Sequence, residues 1–367
     1  MKAYVLAEPG KACWYDAAEP TMEEHGAILR PIVVAPCTSD VNTVYGTGSR
    51  KQDNLILGHE CLAIVEQVGK LVKDIKCGDF VAVPAITPDW GHPDIWEGNF
   101  THAGAHFSGN RLSRTMPGVF AERFAIPYAD MNLARVPKGI PLEAALMCVD
   151  VVTTGFTAVE AAEVQFGDDV CVLGIGAIGL AAIMGARLKG AGRIFAVGTR
   201  GISVHRALEF GATEIIDYRK DNVAEKILEL TNQVGVDSVL LAGGNDQAME
   251  QAIDMVKYGT GIVANVKHYS GTGNIPIPKF SGGRGMAGKT VKLELAQGGR
   301  RRMERLLSMV ACKRFHPEKL VTHTMYGMGA IETALEMMRE KTQDLIKVMV
   351  CIDEEFVKNW RENCEEN

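Results

Sequence analysis

The chain has 367 residues, 47% hydrophobic and 23% charged, the balance of a folded globular protein with room for two domains of ordinary size. A formal net charge of −6 leaves no basic excess to hold a phosphate backbone, so nucleic acid is excluded as the main partner. Nine cysteines, an odd number without C-x-x-C pairs, argue against a disulfide framework and for a reducing, cytoplasmic setting.

Met1–Leu6 reads as a first strand, since it has neither the apolar length nor the cleavage site of a signal peptide. Short Val- and Ile-rich runs follow at Ala27–Val34, Ala63–Val68 and Phe80–Val83, separated by glycine, proline and acidic turns. They predict a mainly β domain over residues 1–150. Thr87 to Pro117 shows little periodicity and forms a long excursion, a feature that in compact domains is often functional.

From Val170 the rhythm changes. Val170–Leu173, Arg193–Val197, Glu214–Asp217 and Asp237–Leu241 are apolar strands, with helices predicted at Leu180–Lys189, His205–Phe210 and Val223–Leu230. This alternation predicts a parallel, doubly wound α/β sheet over residues 151–297. The longest apolar stretch, Leu173–Ala186, is too short and glycine-rich to cross a bilayer. Residues 298–367 hold a helix at Arg301–Ala311, a strand over Leu345–Val350 that returns to the first domain, and an acidic tail expected to be a surface helix.

Gly174-Ile175-Gly176-Ala177-Ile178-Gly179 follows the first of these strands directly and opens a helix. In that setting the glycines allow a tight turn, and backbone N–H groups at a helix N-terminus can approach a dinucleotide pyrophosphate. The next strand ends Val197-Gly198-Thr199-Arg200, without the carboxylate that would hold a ribose 2′-OH. A glycine, a hydroxyl and a guanidinium suit a 2′-phosphate instead, so NADP(H) is the expected cofactor, with Tyr218 near the same phosphate.

In the first domain, Cys37 and His59 each stand just beyond an apolar strand, and Asp150 lies downstream. A thiolate, an imidazole and a carboxylate would make a three-ligand catalytic zinc site with one position open. Taken singly, a cysteine or histidine is more often a packed core residue.

The wider context carries a resemblance. Gly58-His59-Glu60, then Val65, Val68-Gly69 and Gly78-Asp79-Phe80-Val81, resemble the signature of zinc-dependent medium-chain dehydrogenases. More narrowly, Pro36–Asp40, Val83–Trp90, Asp130–Ala134, Thr153–Phe156 and Asp344–Lys347 are similar to the tetrameric NADP-dependent secondary-alcohol dehydrogenases. The likeness runs to about Val350. It implies a GroES-like catalytic domain beside a Rossmann cofactor domain, a homotetramer, and hydride transfer between NADP(H) and a small-molecule alcohol or ketone.

It also implies site residues. Cys37, His59 and Asp150 would bind one catalytic zinc, with Glu60 as a fourth or exchanging ligand and Ser39 bonding the substrate oxygen. Cofactor contacts would come from Ile175–Ile178, Gly198, Thr199, Arg200, Tyr218, Val266, Lys267 and Lys341. A four-cysteine structural zinc would be absent, in keeping with the lack of cysteine between Cys77 and Cys148. In the implied substrate pocket Ala85, Ile86 and Leu295 match the family, whereas Asn110, His268 and Ala296 depart from it. Asn42 stands where the family usually has a histidine, so the outer proton relay would lack a titrating ring.

Two other readings share parts of this pattern. A zinc-free quinone or enoyl reductase keeps the dinucleotide turn without the metal ligands, and a non-catalytic NADPH-binding protein keeps the cofactor without turnover.

Overall fold

In the computed structural model, which describes residues 1–46, 54–104, 108–269 and 273–365, the apolar runs of the first half become mainly antiparallel strands. These are β1 (Lys2–Glu8), β2 (Lys11–Asp16), β3 (Ala27–Val34), β4 (Leu55–Ile56), β5 (Cys61–Val68), β6 (Phe80–Val83), β7 (Phe124–Ile126) and β8 (Ala134–Arg135). A second set follows: β9 (Asp169–Leu173), β10 (Arg193–Val197), β11 (Glu214–Ile216), β12 (Ser238–Leu241), β13 (Ile262–Asn265) and β14 (Thr290–Leu293). The last strands are β15 (Val321–Tyr326) and β16 (Lys347–Cys351). The chain divides into two units, one of residues 1–153 and 297–367, the other of residues 154–296.

In the first unit, β1 pairs with β2 and β4, and a larger sheet runs β15-β16-β3-β5-β6-β8 with β7 beside β3. Strand β3 is buried along nearly its whole length, and its pairing with β5 shifts register around Pro31. A proline cannot donate to the ladder, so it sits where the ladder breaks. Val350 of β16 lies opposite Val34 of β3, which builds the C-terminal segment into this sheet. Its core joins Leu29, Val65, Val81, Phe120 and Phe124 with Leu335, Val348 and Val350 from the end of the chain. Fully burying one such side chain stabilises the fold by about 1.5–3 kcal/mol.

The tail helix, Glu354–Glu365, is more than a solvated surface helix. Phe356 and Trp360 both pack their rings 4.8 Å from Phe80 of β6, Val357 is buried, and the Trp360 indole donates to the Ile140 carbonyl at 2.9 Å. Its acidic residues masked an apolar stripe at i, i+1 and i+4 in the sequence.

The second unit holds one six-stranded sheet in the order β11-β10-β9-β12-β13-β14, with every pairing parallel. Counted from β9 this is the order 3-2-1-4-5-6 of a dinucleotide-binding sheet, in which the crossover reverses between the first and fourth strands. Strand boundaries agree with the sequence expectation within one or two residues. The first crossover helix, Ala177–Lys189, begins three residues before the predicted Leu180, because Gly176 is its N-cap and its first turn is already helical. Strands β13, β14 and β15 were not anticipated.

Residues 142–161 form a helical run long and apolar enough to cross a membrane, but 89% of that window is buried within the protein. Its middle turn, Cys148–Val152, is a π-helix that carries Asp150. Such wide turns are rare and concentrate at functional sites.

Candidate active site

Cys37 is the N-cap of the helix Thr38–Tyr45, just after β3. The Asp40 carboxylate reaches back to accept the Cys37 backbone N–H at 2.8 Å, which locks this corner in the manner of a capping box. His59 and Glu60 precede β5. The turn that delivers them needs Gly58: its φ is +89°, and an added Cβ would lie 2.3 Å from the buried Phe120 ring.

These elements bring four side chains together. One ligand-type atom from each of Cys37, His59, Glu60 and Asp150 lies within 4.8 Å of every other. Cys37 Sγ is 3.9 Å from Asp150 Oδ2, and His59 Nε2 is 3.7 Å from the same oxygen. Ser39 Oγ lies 3.2 Å from His59 Nε2. The opposite ring nitrogen, Nδ1, faces Asp40 Oδ1 at 3.3 Å, and that carboxylate also accepts the Gly58 N–H. A carboxylate on one imidazole nitrogen fixes the ring's orientation and leaves the other nitrogen for a metal.

Burial works against a charged His59, yet the Asp40 carboxylate and the bonds to Asp150, Asp40 and Cys37 outweigh it and raise the ring's pKa well above its usual value. Burial pushes the Glu60 carboxyl up to about 7, against the pull of Lys347. Lys347, itself fully buried, donates to Glu60 Oε1 at 2.6 Å and to the Pro36 carbonyl at 3.0 Å. Its burial disfavours the ammonium, but Glu60, Cys37 and Asp150 more than offset that and raise its pKa.

The donor set suits a divalent metal. It combines a thiol, an imidazole and two carboxylates, and Glu60 Oε2 is buried without a hydrogen-bond partner in the group. A buried carboxylate oxygen left unpaired is costly, and a cation would satisfy it.

Beside this group, Ala85 and Ile86 are buried on the chain leaving β6, and the Ala85 N–H donates to the Val149 carbonyl, next to Asp150. Thr87 N–H bonds to the carbonyl of Gly109, which precedes half-buried Asn110. Lys341, also in this unit, is exposed and caps the helix Ala330–Glu340 in a left-handed conformation.

In the second unit the glycine turn sits at the C-terminal end of β9. Gly174 has φ +87°, and an added Cβ would lie 2.5 Å from Gly243, which follows β12. The two turns at the crossover reversal therefore touch backbone to backbone, and only glycine permits it. Gly179 is buried against the Gly174 carbonyl, while a Cβ on Gly176 would meet nothing within 4 Å. A helix N-terminus of this kind can accept an anionic group.

Gly198, Thr199 and Arg200 follow β10, and the Thr199 hydroxyl donates to the Tyr218 hydroxyl at 3.4 Å. Burial lowers the Arg200 guanidinium's pKa, and Tyr218 counters it. Val266 and Lys267 follow β13, both backbone N–H groups donating to the Leu241 carbonyl, and Lys267 Nζ lies 3.2 Å from the Tyr269 ring centre. His268 is exposed, Leu295 half-buried and Ala296 buried.

Sequence reasoning missed two residues of the first unit's group. Asp40 was visible only as part of a motif, although its position three residues after Cys37 is a capping-box spacing. Lys347 was visible as one charge inside the apolar run Leu345–Val350, a pattern that signals a buried, paired ion.

The pattern described as an alcohol dehydrogenase GroES-like domain matches residues 23–138, and that of a zinc-binding dehydrogenase matches residues 177–308. An NADP-dependent isopropanol dehydrogenase of Thermoanaerobacter brockii is 46% identical over 96% of this chain and all of its own length. That of Clostridium beijerinckii is 44% identical over the same shares. Among solved structures, zinc-dependent alcohol dehydrogenase 2 from Streptococcus pneumonia superposes with a TM-score of 0.85 at 26% identity, covering 96% of this chain and 99% of that one. The chain belongs to the zinc-dependent alcohol dehydrogenases of the medium-chain dehydrogenase superfamily. It is an enzyme, an oxidoreductase of mixed α/β fold with a GroES-like and a Rossmann-type part.

Proposed function

We propose that the protein interconverts secondary alcohols and ketones with NADP(H), using one catalytic zinc held by Cys37, His59 and Asp150, with Glu60 behind it. The observation that carries this reading is the meeting of a thiol, an imidazole and two carboxylates within 4.8 Å, one carboxylate oxygen being buried and unpaired. Relatives that share 44–46% of its residues and are named for NADP and isopropanol support the cofactor and the substrate class.

When bound, zinc supplies Lewis acidity to the substrate oxygen and NADP(H) supplies or takes up the hydride. The chain's own residues do the rest. Asp40 holds His59 in one tautomer, with Nε2 turned to the site. The Ser39 hydroxyl, next to that nitrogen, accepts the alcohol proton in oxidation and returns it in reduction. Beyond Ser39, Asn42 is exposed and cannot ionise near neutrality, so the proton continues to solvent through water rather than through a ring. The glycine turn Gly174–Gly179 receives the pyrophosphate, and Gly198, Thr199, Arg200 and Tyr218 select the 2′-phosphate, with Val266, Lys267 and Lys341 as further cofactor contacts. Ala85, Ile86, Asn110, His268, Leu295 and Ala296 are assigned to the substrate pocket. There Asn110 replaces an aromatic wall and admits bulkier ketones.

The domain assignment carried by this reading is a catalytic domain over residues 1–150, a cofactor domain over 151–297 and a returning segment over 298–367. Family likeness further supports a homotetramer in the cytoplasm without a structural zinc. All nine cysteines are free thiols, in keeping with that compartment.

Initial rates of acetone reduction with NADPH and with NADH test the reading. Faster reduction with NADPH, abolished by a chelator and restored by zinc, is the expected result. Activity indifferent to zinc would move the assignment to a quinone or enoyl reductase, and NADPH binding without turnover would make the protein non-catalytic.

A further inference from the structure

The turn that carries Asp150 is irregular, and neighbouring groups hold it so. Thr153 sends its N–H to the Asp150 carbonyl, three residues back, in place of the four of an α-helix. The Val149 carbonyl, which a regular helix would pair with that N–H, accepts the Ala85 N–H at 3.0 Å from outside the helix. A wide turn of this kind persists where other groups bond the polar atoms it frees. On its C-terminal side those groups meet at Thr153, which is fully buried. Its hydroxyl donates to the Gln297 carbonyl at 2.7 Å and accepts from Nε of Arg302 at 3.1 Å, while Nη2 of Arg302 donates to the Thr153 carbonyl at 3.4 Å. Arg302 is the last of three consecutive arginines that open the helix Arg300–Ala311. Arg300 and Arg301 both pair with Glu304 on their own helix, whereas Arg302 turns to Thr153.

We propose that Arg302 is a positioning residue for Asp150: by bonding the hydroxyl and the carbonyl of Thr153, it holds the turn Cys148–Val152 in its wide form and so aims the Asp150 carboxylate at Cys37 and His59. The inference rests on the zinc reading given above. A wide turn and an α-helical one differ by one residue, so closing the turn would rotate Asp150 by up to about 100° about the helix axis relative to the residues that follow it. Without the guanidinium, Thr153 keeps only its bond to Gln297, the turn loses its fixed C-terminal edge, and Asp150 no longer meets the other donors in one geometry. Arg302 acts through Thr153, three residues after the ligand, in the way that outer partners orient the groups that bind a metal.

The test is zinc affinity, read by competition with a chromophoric chelator, for wild type, Arg302→Leu, Arg302→Lys, Asp150→Asn and the double variant Arg302→Leu/Asp150→Asn. Circular dichroism and the thermal midpoint are checked first. Arg302→Leu should bind zinc about ten- to hundredfold more weakly than wild type. Arg302→Lys, which keeps the charge and one hydrogen bond, should recover most of that loss. In the Asp150→Asn background, where the ligand is already gone, Arg302→Leu should weaken binding no further. In the cobalt(II)-substituted protein, Arg302→Leu should shift the visible ligand-field bands toward those of Asp150→Asn while the thiolate-to-cobalt charge-transfer band of Cys37 stays in place. Where Arg302→Leu does not fold, Thr153→Val, which removes the hydroxyl at nearly constant shape, is measured for the same weakening and the same band shift. A folded variant that binds zinc as wild type does, or one weakened equally with Asp150 and with Asn at that position, would overturn the proposal while leaving the zinc reading intact. Wild-type protein that holds no zinc would overturn both.

Discussion

The glycine turn of the second unit and the four-donor group of the first are built in opposite ways. The turn is local: six consecutive residues, one strand before them and one helix after them create an anion-accepting helix end, and the sheet order places it at the crossover reversal. The donor group is assembled from residues 37, 59, 60 and 150, held by Asp40 from one side and by Lys347 from nearly the end of the chain. Local sites announce themselves through periodicity, whereas an assembled site shows only its separate ligand types until the fold joins them. The two should also respond differently to substitution. Loss of one ligand in the assembled site ought to cripple it, while the cofactor site should weaken in increments.

The largest effect expected is that of Cys37→Ser. Losing the thiolate should empty the site and cut kcat by about three orders of magnitude or more, since several kcal/mol of charge stabilisation disappear. NADPH binding followed by fluorescence should be unchanged, and a parallel loss of NADPH affinity would break the contrast between the sites. Next comes Arg200→Ala. A charge-assisted bond contributes about 1.5–3 kcal/mol, so NADPH should bind about ten- to hundredfold more weakly while NADH is little affected. Equal weakening of both cofactors would mean that Arg200 does not read the 2′-phosphate.

Asn110→Trp sharpens the pocket assignment. It should lower kcat/KM for a bulky aryl ketone about tenfold relative to acetone, and an unchanged ratio would remove Asn110 from the substrate wall. The smallest change in rate is expected from Asn42→His. Its effect should be on shape: the pH profile of alcohol oxidation should gain an ionisation near about 6.5, the ordinary value for histidine. An unaltered profile would place the proton's exit elsewhere.

How much was legible follows the same division. The parallel sheet, its glycine turn and the Gly198-Thr199-Arg200 end of β10 could be read because each rests on contiguous apolar runs and their punctuation. Cys37, His59 and Asp150 could be nominated from donor chemistry and family resemblance, but not their distances, because those depend on the turn at Gly58 and the π-helical turn around Asp150. Lys347 escaped because one charge within a strand gives no hint of its partner 287 residues away. The tail was read correctly as a surface helix, but its docking was not foreseen, its acidic composition outweighing the Phe356, Val357 and Trp360 stripe that packs it on Phe80.

The central claim is that one metal, held by Cys37, His59 and Asp150 with Glu60 behind it, serves the reaction. It is tested most directly by titrating zinc back into chelator-stripped protein and following NADPH-dependent ketone reduction. Activity that rises linearly and saturates at one zinc per chain is the predicted result. Full activity in the stripped protein, or saturation only at two, would contradict it.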